Sequence, residues 1–234
     1  MLDFATPLGR VLKAALDLAA EKPWGEVTLS DIAVRAGTTL AEMREHCTGK
    51  TDLLAKLLRA VDDEVLRTAP RPADGVSRRD ALFEVIMARF DLLQPFKPAL
   101  RSIHASGAAD FTLAAPYLAS QHWMLQAAGI GTDGLAGGAR VAGLALAYAQ
   151  AYRTWLADDD PGLGKTMASL DRLLRRGESA LKGLETAGTT LGRMARTAAQ
   201  MAKGAARAAQ SARKTDTSPP PPEPPAAAPE PGKP

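Results

Sequence analysis

The chain is predicted to be all-α, and three observations lead there. Ala and Leu supply most of an apolar fraction of 46%, with aromatics at only 5%, a mix that suits helices far better than strands built on β-branched residues. Apolar residues recur at three- and four-residue spacing through one segment after another. Several of those segments open on Ser or Thr followed three residues later by Asp or Glu, a spacing that lets the two side chains satisfy the free amides of a helix start.

The elements follow in order. Thr6 caps a helix with Pro7 in its first turn, and Leu8, Val11, Leu12, Ala15, Leu16 and Ala19 form one face up to about Glu21. Pro23 and Gly25 break the chain, with Trp24 and Val27 placed to pack beneath the next element. Thr28 with Asp31 opens a short helix to Arg35, Gly37 supplies the positive φ of a tight turn, and Thr39 with Glu42 opens the next helix. Two capped starts so close together describe a helix-turn-helix. A fourth helix, about Thr51 to Thr68, carries Leu53, Leu54, Leu57, Leu58, Val61 and Val65 on one face.

The residues 69–77 read as a linker with two prolines, joining an N-terminal unit, 1–68, to a helical body, 78–183. Ser77 with Asp80 starts the first body helix, whose stripe is Leu82, Phe83, Val85, Ile86, Phe90 and Leu93, and Pro95 stops it. Further helices are expected over Pro98 to Ala105, over Thr112 to Ala128 with Pro116 as a kink or as the true start, and over Thr132 to Ala157. Asp160 is expected to cap a last body helix with Pro161 in its first turn. Beyond lie a basic, weakly apolar helical extension, 184–214, and a Pro-rich tail, 215–234, whose composition favours extended, solvated chain and is expected to be disordered.

Composition excludes several classes of function. Cys47 is the only cysteine, so there is no intrachain disulfide and no zinc-finger or redox spacing. The start lacks a signal-peptide pattern, and the longest run without polar side chains, Val141 to Ala149, is far too short to cross a bilayer. The expected compartment is a reducing cytoplasm. His46, His104 and His122 share no metal-ligand spacing, and GLGKT at 162–166 has Asp159 where a phosphate loop needs its first glycine. Asp158 to Asp160 reads as helix capping rather than a cation site. No catalytic residue, cofactor or metal is expected.

Charge is unevenly spread along the chain. Its net value is +3, yet residues 1–68 hold nine Lys and Arg against eleven Asp and Glu, while 184–214 hold six against one. Non-specific DNA affinity comes from neutralised phosphates, so the basic surplus lies away from the helix-turn-helix. The extension admits three readings: a solvated arm, a nucleic-acid contact, or a weak membrane-surface anchor. In the body, Phe83, Phe90, Trp123, Tyr148, Tyr152 and Trp155 fall on predicted helices and read either as plain core or as the wall of a pocket for an apolar ligand. Gly134, Gly138 and Gly143 would let another helix approach closely.

The first sixty-odd residues resemble the N-terminal domain of TetR-type transcriptional regulators. The resemblance rests on A-A-L-D-L-A-A at 14–20, the Val27-Thr28 pair, D-I-A-V-R-A-G ending at Gly37, and Lys50 followed by Leu53 and Leu54. It implies a small domain that sets its third helix in the major groove of double-stranded operator DNA, and a larger helical body that binds a small molecule and dimerises through its last two helices. By position, Thr28 and Lys50 would touch phosphates, and Thr38, Thr39, Leu40, Arg44 and His46 would lie on or beside the reading helix. The homodimer would form through the helices at 133–156 and 161–180. Arg44 and Cys47 stand where the family usually has Tyr and Phe. With W-M-L-Q-A-A-G-I at 123–130, R-V-A-G-L-A-L-A-Y at 140–148, W-L-A-D-D-D-P at 155–161 and T-M-A-S-L-D-R-L-L at 166–174, the body from about Trp123 to Glu178 is also similar to accessory proteins of ubiquinone biosynthesis. Those have a TetR-like fold that no longer serves DNA binding, hold an isoprenoid lipid between helices, and use a C-terminal amphipathic helix at the membrane.

Overall fold

In the computed structural model, residues 2–69, 75–107, 113–180 and Gln200 are described. The basic extension 184–214, apart from Gln200, and the Pro-rich tail 215–234 lie outside the described residues, as does the middle of the linker, 70–74. The described residues 2–180 belong to one compact unit. It is built of helices, and no strand occurs among the described residues.

The chain runs through α1 (Pro7–Glu21), α2 (Leu29–Ala36), α3 (Leu40–His46) and α4 (Lys50–Thr68). It continues through α5 (Arg78–Leu93), α6 (Lys97–Ala105), α7 (Ala114–Ala127) and α8 (Gly134–Ala157). A ninth helix, α9, occupies 164–180 of the described residues. Single 3-10 turns cover Trp24–Glu26 and Gln94–Phe96.

Local chemistry sets the helix starts. Thr6 accepts from the Gly9 amide at 3.0 Å, and the Ser77 hydroxyl accepts from the Asp80 amide at 3.1 Å. Each replaces an intrahelical bond that a first turn cannot make. Pro116 falls at the third position of α7, where no intrahelical donor is needed, so it marks the start and does not kink the helix.

The start of α9 differs from expectation. Pro161 and Gly162 form a turn ahead of the helix, Leu163 takes a positive φ of 52°, and helical residues begin at 164. Two aspartates set this geometry. Asp158 accepts from both the amide and the hydroxyl of Thr166, at 2.9 and 2.7 Å. Asp160 accepts from the amides of Gly162 and Gly164, at 3.0 and 3.2 Å. Asp159 points elsewhere and pairs with Arg101. The acidic run is thus spent on a helix N-terminus and an ion pair, where negative charge is favourable.

One continuous apolar core runs through the unit. Val11, Leu12, Ala15, Leu16 and Ala19 of α1 are buried with Trp24, Val27, Ile32 and Met43, and the same cluster extends to Val61, Ile86, Phe90, Met124, Trp155 and Leu170. α1 packs on α2 and, most extensively, on α6. At that junction the Ser102 hydroxyl of α6 accepts from the Trp24 amide at 2.9 Å and donates to the Lys22 carbonyl at 3.3 Å. The N-terminal helices are therefore tied to the body by packing and by hydrogen bonds. α4 reaches the rest of the body, packing on α5 and α7.

Candidate functional site

The segment from Thr28 to His46 folds as a helix, a turn and a helix, each helix with a complete capping box. Thr28 accepts from the Asp31 amide while Asp31 accepts from the Thr28 amide, and Thr39 and Glu42 repeat the exchange. Between them Gly37 sits at φ 66°, ψ 39°, a left-handed conformation that costs an ordinary side chain about 1–2 kcal/mol. The Thr38 amide closes the turn on the Ala33 carbonyl at 3.0 Å. Ile32 and Met43, at 0% and 2% exposure, face the core from the two helices. Cys47 is buried beside Met43, and its thiol donates to the Met43 carbonyl.

This arrangement orients the exposed, ionised carboxylate of Glu42. Its carboxylate turns back to the start of α3, accepting the Thr39 amide at 2.9 Å and the hydroxyls of Thr38 and Thr39 at 2.7 and 3.1 Å. Those bonds, the amide first, hold its pKa below the ordinary value. Asp31 is likewise committed: its hydrogen bond from Lys22 and those from Thr28 lower its pKa to about 2. The exposed residues of α3 are Leu40, at 50% exposure, Ala41, Glu42, Arg44 and Glu45, with His46 half-buried at its end.

The cations of the stretch divide by role. Arg35 is bidentate to Glu21, at 2.8 and 2.7 Å. Arg44 is exposed and has no hydrogen bond or ion pair among the described residues. Lys50 turns inward: its ammonium donates to the carbonyls of Trp24 and Val27 at 2.6 and 2.7 Å and lies 4.5 Å from the centre of the Trp24 ring. Burial pulls its pKa down. Lys50 thus clamps the turn before α2 to the start of α4. Thr28, at the opposite end of that turn, remains exposed.

A second feature lies in the body. A cavity of about 800 Å³ opens among α4, α5, α6, α7 and α8. α4 contributes Leu54, Leu57, Leu58 and Val61; α5, Arg89 and Leu93; α6, Leu100, Ile103 and His104; α7, Ala114 and Tyr117; and α8, Tyr148, Ala149, Tyr152 and Arg153. Of the six aromatics proposed from the sequence, Tyr148 and Tyr152 line this space. Phe90 and Trp155 are at 0% exposure and form the layer behind, with Phe90 stacked 5.5 Å from Tyr148 and 5.4 Å from Trp155. Phe83 is half-buried and Trp123 is 51% exposed, and neither reaches the cavity. Helical period alone does not distinguish a wall residue from one packed behind it. Burial pushes the Tyr117, Tyr148 and Tyr152 hydroxyls up, so they remain neutral.

The sequence reading passed over the polar centre of this wall. Arg89, 1% exposed, donates through Nη1 to Asp62 of α4 and to the Ser120 hydroxyl of α7, the latter at 2.7 Å. Ser120 in turn donates to Asp62 at 2.9 Å. Burial pushes the Asp62 carboxyl up, with Arg89 and Ser120 pulling it back. A signal was present: Arg89 follows Val85 by four residues on the apolar stripe of α5, and Asp62 follows Leu58 by four on that of α4. A charge at such a position is buried and paired or it is not tolerated.

The histidines stay apart, His46 on α3, His104 on α6 and His122 on α7. Among the described residues no group of three His, Cys, Asp or Glu side chains is placed to hold a metal. Also among them, no helix is long and apolar enough to cross a membrane. α8 and α9 present exposed Leu135, Leu146 and Met167, at 97%, 76% and 39%. A Cβ at Gly138 or Gly143 of α8 would meet nothing within 4 Å.

No protein-family model matches the chain, and no curated protein matches it. Solved structures do. A TetR transcriptional regulator from Rhodococcus sp. RHA1 aligns with a TM-score of 0.57 at 21% identity, over 72% of this chain and 93% of that one. A TetR transcriptional regulator from Nitrosomonas europaea ATCC 19718 gives 0.57 at 21% identity, over 73% and 97%. With its helix-turn-helix and its helical body, the chain has the fold of the TetR transcriptional regulators.

Proposed function

We propose that the protein is a DNA-binding transcriptional regulator of the TetR type, acting as a homodimer and controlled by a small ligand with an apolar body held in the cavity. The observation that carries the reading is the state of α3. Both capping boxes are closed, Gly37 sets the turn, the exposed Glu42 is hydrogen-bonded back to Thr38 and Thr39, and Leu40 and Arg44 are exposed. A rigid, outward-facing short helix of this kind suits a major groove, and an unpaired arginine at its surface suits phosphates or guanine edges. Lys50 serves the domain from inside, by fixing the approach to α2, and its remaining N–H is the only one left for a phosphate. Thr38 and Thr39 offer hydroxyl oxygens already engaged with Glu42.

The exposed apolar and glycine-bearing faces of α8 and α9 are the proposed dimer surface. Two reading helices about 34–36 Å apart, one turn of DNA, would then meet two half-sites. A second reading, a lipid-holding accessory protein without DNA binding, is favoured by the size and apolar lining of the cavity. It leaves the two closed capping boxes without a use.

The test is an electrophoretic shift on the intergenic DNA beside the gene, repeated as salt rises. Arg44→Glu is expected to weaken binding to all sequences and to lower the salt slope by about one, the share of a single phosphate. Absence of any salt-sensitive shift by the wild-type protein would end the regulator reading in favour of the lipid-holding one.

A further inference from the structure

We propose that the cavity takes a carboxylic acid with an apolar body, that its carboxylate is received by Arg89, and that this contact loosens the hold of Arg89 on Asp62. The proposal rests on the reading of the cavity as a ligand site and names the ligand's class and the route of its effect.

The first argument is charge. No Asp or Glu is among the described residues lining the cavity, whereas Arg89, His104 and Arg153 are. Asp62 balances Arg89 from behind the wall. Arg153, exposed and hydrogen-bonded only to the Ala149 carbonyl among the described residues, leaves the described lining net positive. A cationic ligand would be repelled there, and a purely apolar one would leave the polar groups of the wall unsatisfied.

The second argument is a buried donor without an acceptor. Arg89 spends Nη1 on Asp62 and Ser120, and its Nε has no partner. A guanidinium presents two forks, so one carboxylate on Nη1 leaves the edge bearing Nε open to a second. A buried donor left unmade is unfavourable, and an arriving carboxylate removes that penalty with a charge-assisted bond. Arg89 is nearly closed off, so a side chain of the wall must shift to admit the acid. Tyr148, whose ring lies 5.1 Å from the guanidinium carbon and also lines the cavity, is placed to do so.

The third argument is connectivity. Asp62 lies on α4, the helix whose first residue, Lys50, clamps the turn before α2. Two carboxylates sharing one guanidinium repel each other and divide its attraction. Occupancy therefore weakens the anchor of α4 to α5 and α7 at the end of the helix remote from the DNA-reading unit. A ligand shifts an equilibrium only by its differential contacts in the two states, and this exchange of partners is such a contact.

Calorimetric titration of the full-length protein with dodecanoate, dodecanol and methyl dodecanoate, each below its aggregation limit, tests the proposal. The acid is expected to bind roughly ten- to a hundredfold tighter than the alcohol or ester, the worth of a hydrogen bond to a charged group. Replacing both partners together, Asp62→Asn with Arg89→Met, removes the buried charges as a pair and so is the variant best able to keep the fold. It should erase that preference while retaining dodecanol binding, whereas Arg153→Ala should keep the preference. Equal binding of the three probes, or binding of none, overturns the proposal on the wild-type protein alone. So does a preference that survives the paired variant and is lost with Arg153. Dodecanoate binding without any DNA shift would leave this proposal standing and remove the regulator reading; a DNA shift with no dodecanoate binding does the reverse.

Discussion

Lys50→Met separates a structural lysine from a phosphate-binding one. In the fold the ammonium donates to two backbone carbonyls, of Trp24 and Val27, and rests against the Trp24 ring. A hydrogen bond from a charged donor is worth about 1.5–3 kcal/mol net, and a cation over an aromatic face about 0.5–1 kcal/mol where water still reaches it. Lys50 is half-buried, so the lower ends apply, and methionine retains the packing of the stem. The expected loss is about 2–4 kcal/mol, a large share of the roughly 5–15 kcal/mol that holds a domain folded. For a unit of this size that is a fall in Tm of roughly 5–12 °C. Thermal melts by circular dichroism at neutral pH, with urea melts to give the free energy, make the measurement. Arg44→Ala, which removes an exposed and unpaired cation, is the control and should leave Tm unchanged. If Lys50→Met melts within a degree of the wild type, the inward clamp is not formed in solution, and the lysine is free to serve as a simple phosphate contact.

Two further outcomes follow from the same geometry. Asp31 has its folded pKa lowered to about 2 from 3.8, so its stabilising contribution is complete above about pH 4 and disappears as pH falls towards 2. The stability difference between wild type and Asp31→Asn, read by urea melts, should therefore be present at pH 6 and close across that acid window; a gap that persists at pH 2 would mean the carboxylate charge is not the cause. Leu146 is 76% exposed on α8, and burying a leucine is worth about 1.5–3 kcal/mol. Leu146→Arg should accordingly weaken self-association by about tenfold or more in sedimentation equilibrium with Tm little changed, and a dimer of undiminished affinity would place the interface elsewhere.

Much of the fold is legible in the sequence because its information is local. Thr6, Thr28, Thr39 and Ser77 each cap a helix as their spacing implies, and Gly37 takes the left-handed conformation its place in A-G-T implies. Capping and turn chemistry involve neighbours within four residues, so residue type and spacing suffice. The start of α9 departs from this rule for a related reason. Pro161 suits a first turn, but Asp158 reaches eight residues forward to Thr166 and moves the helix start beyond the proline. The pocket departs further. Phe90, Trp155, Tyr148 and Tyr152 all occupy inward positions of helices, and only packing against residues distant in sequence makes the first pair core and the second pair wall.

Unaided, the residues in order determined an all-α chain, its helices, the capped pair around Gly37 and the uneven charge along its length, since periodicity, caps and net charge are sums over near neighbours. Tertiary packing alone decided the direction of long side chains. It turned Lys50 towards two carbonyls, left Arg44 unpaired, and brought Asp62, Arg89 and Ser120 together from three helices beside a cavity. A flexible side chain has many rotamers of similar energy, and only contacts distant in sequence choose among them.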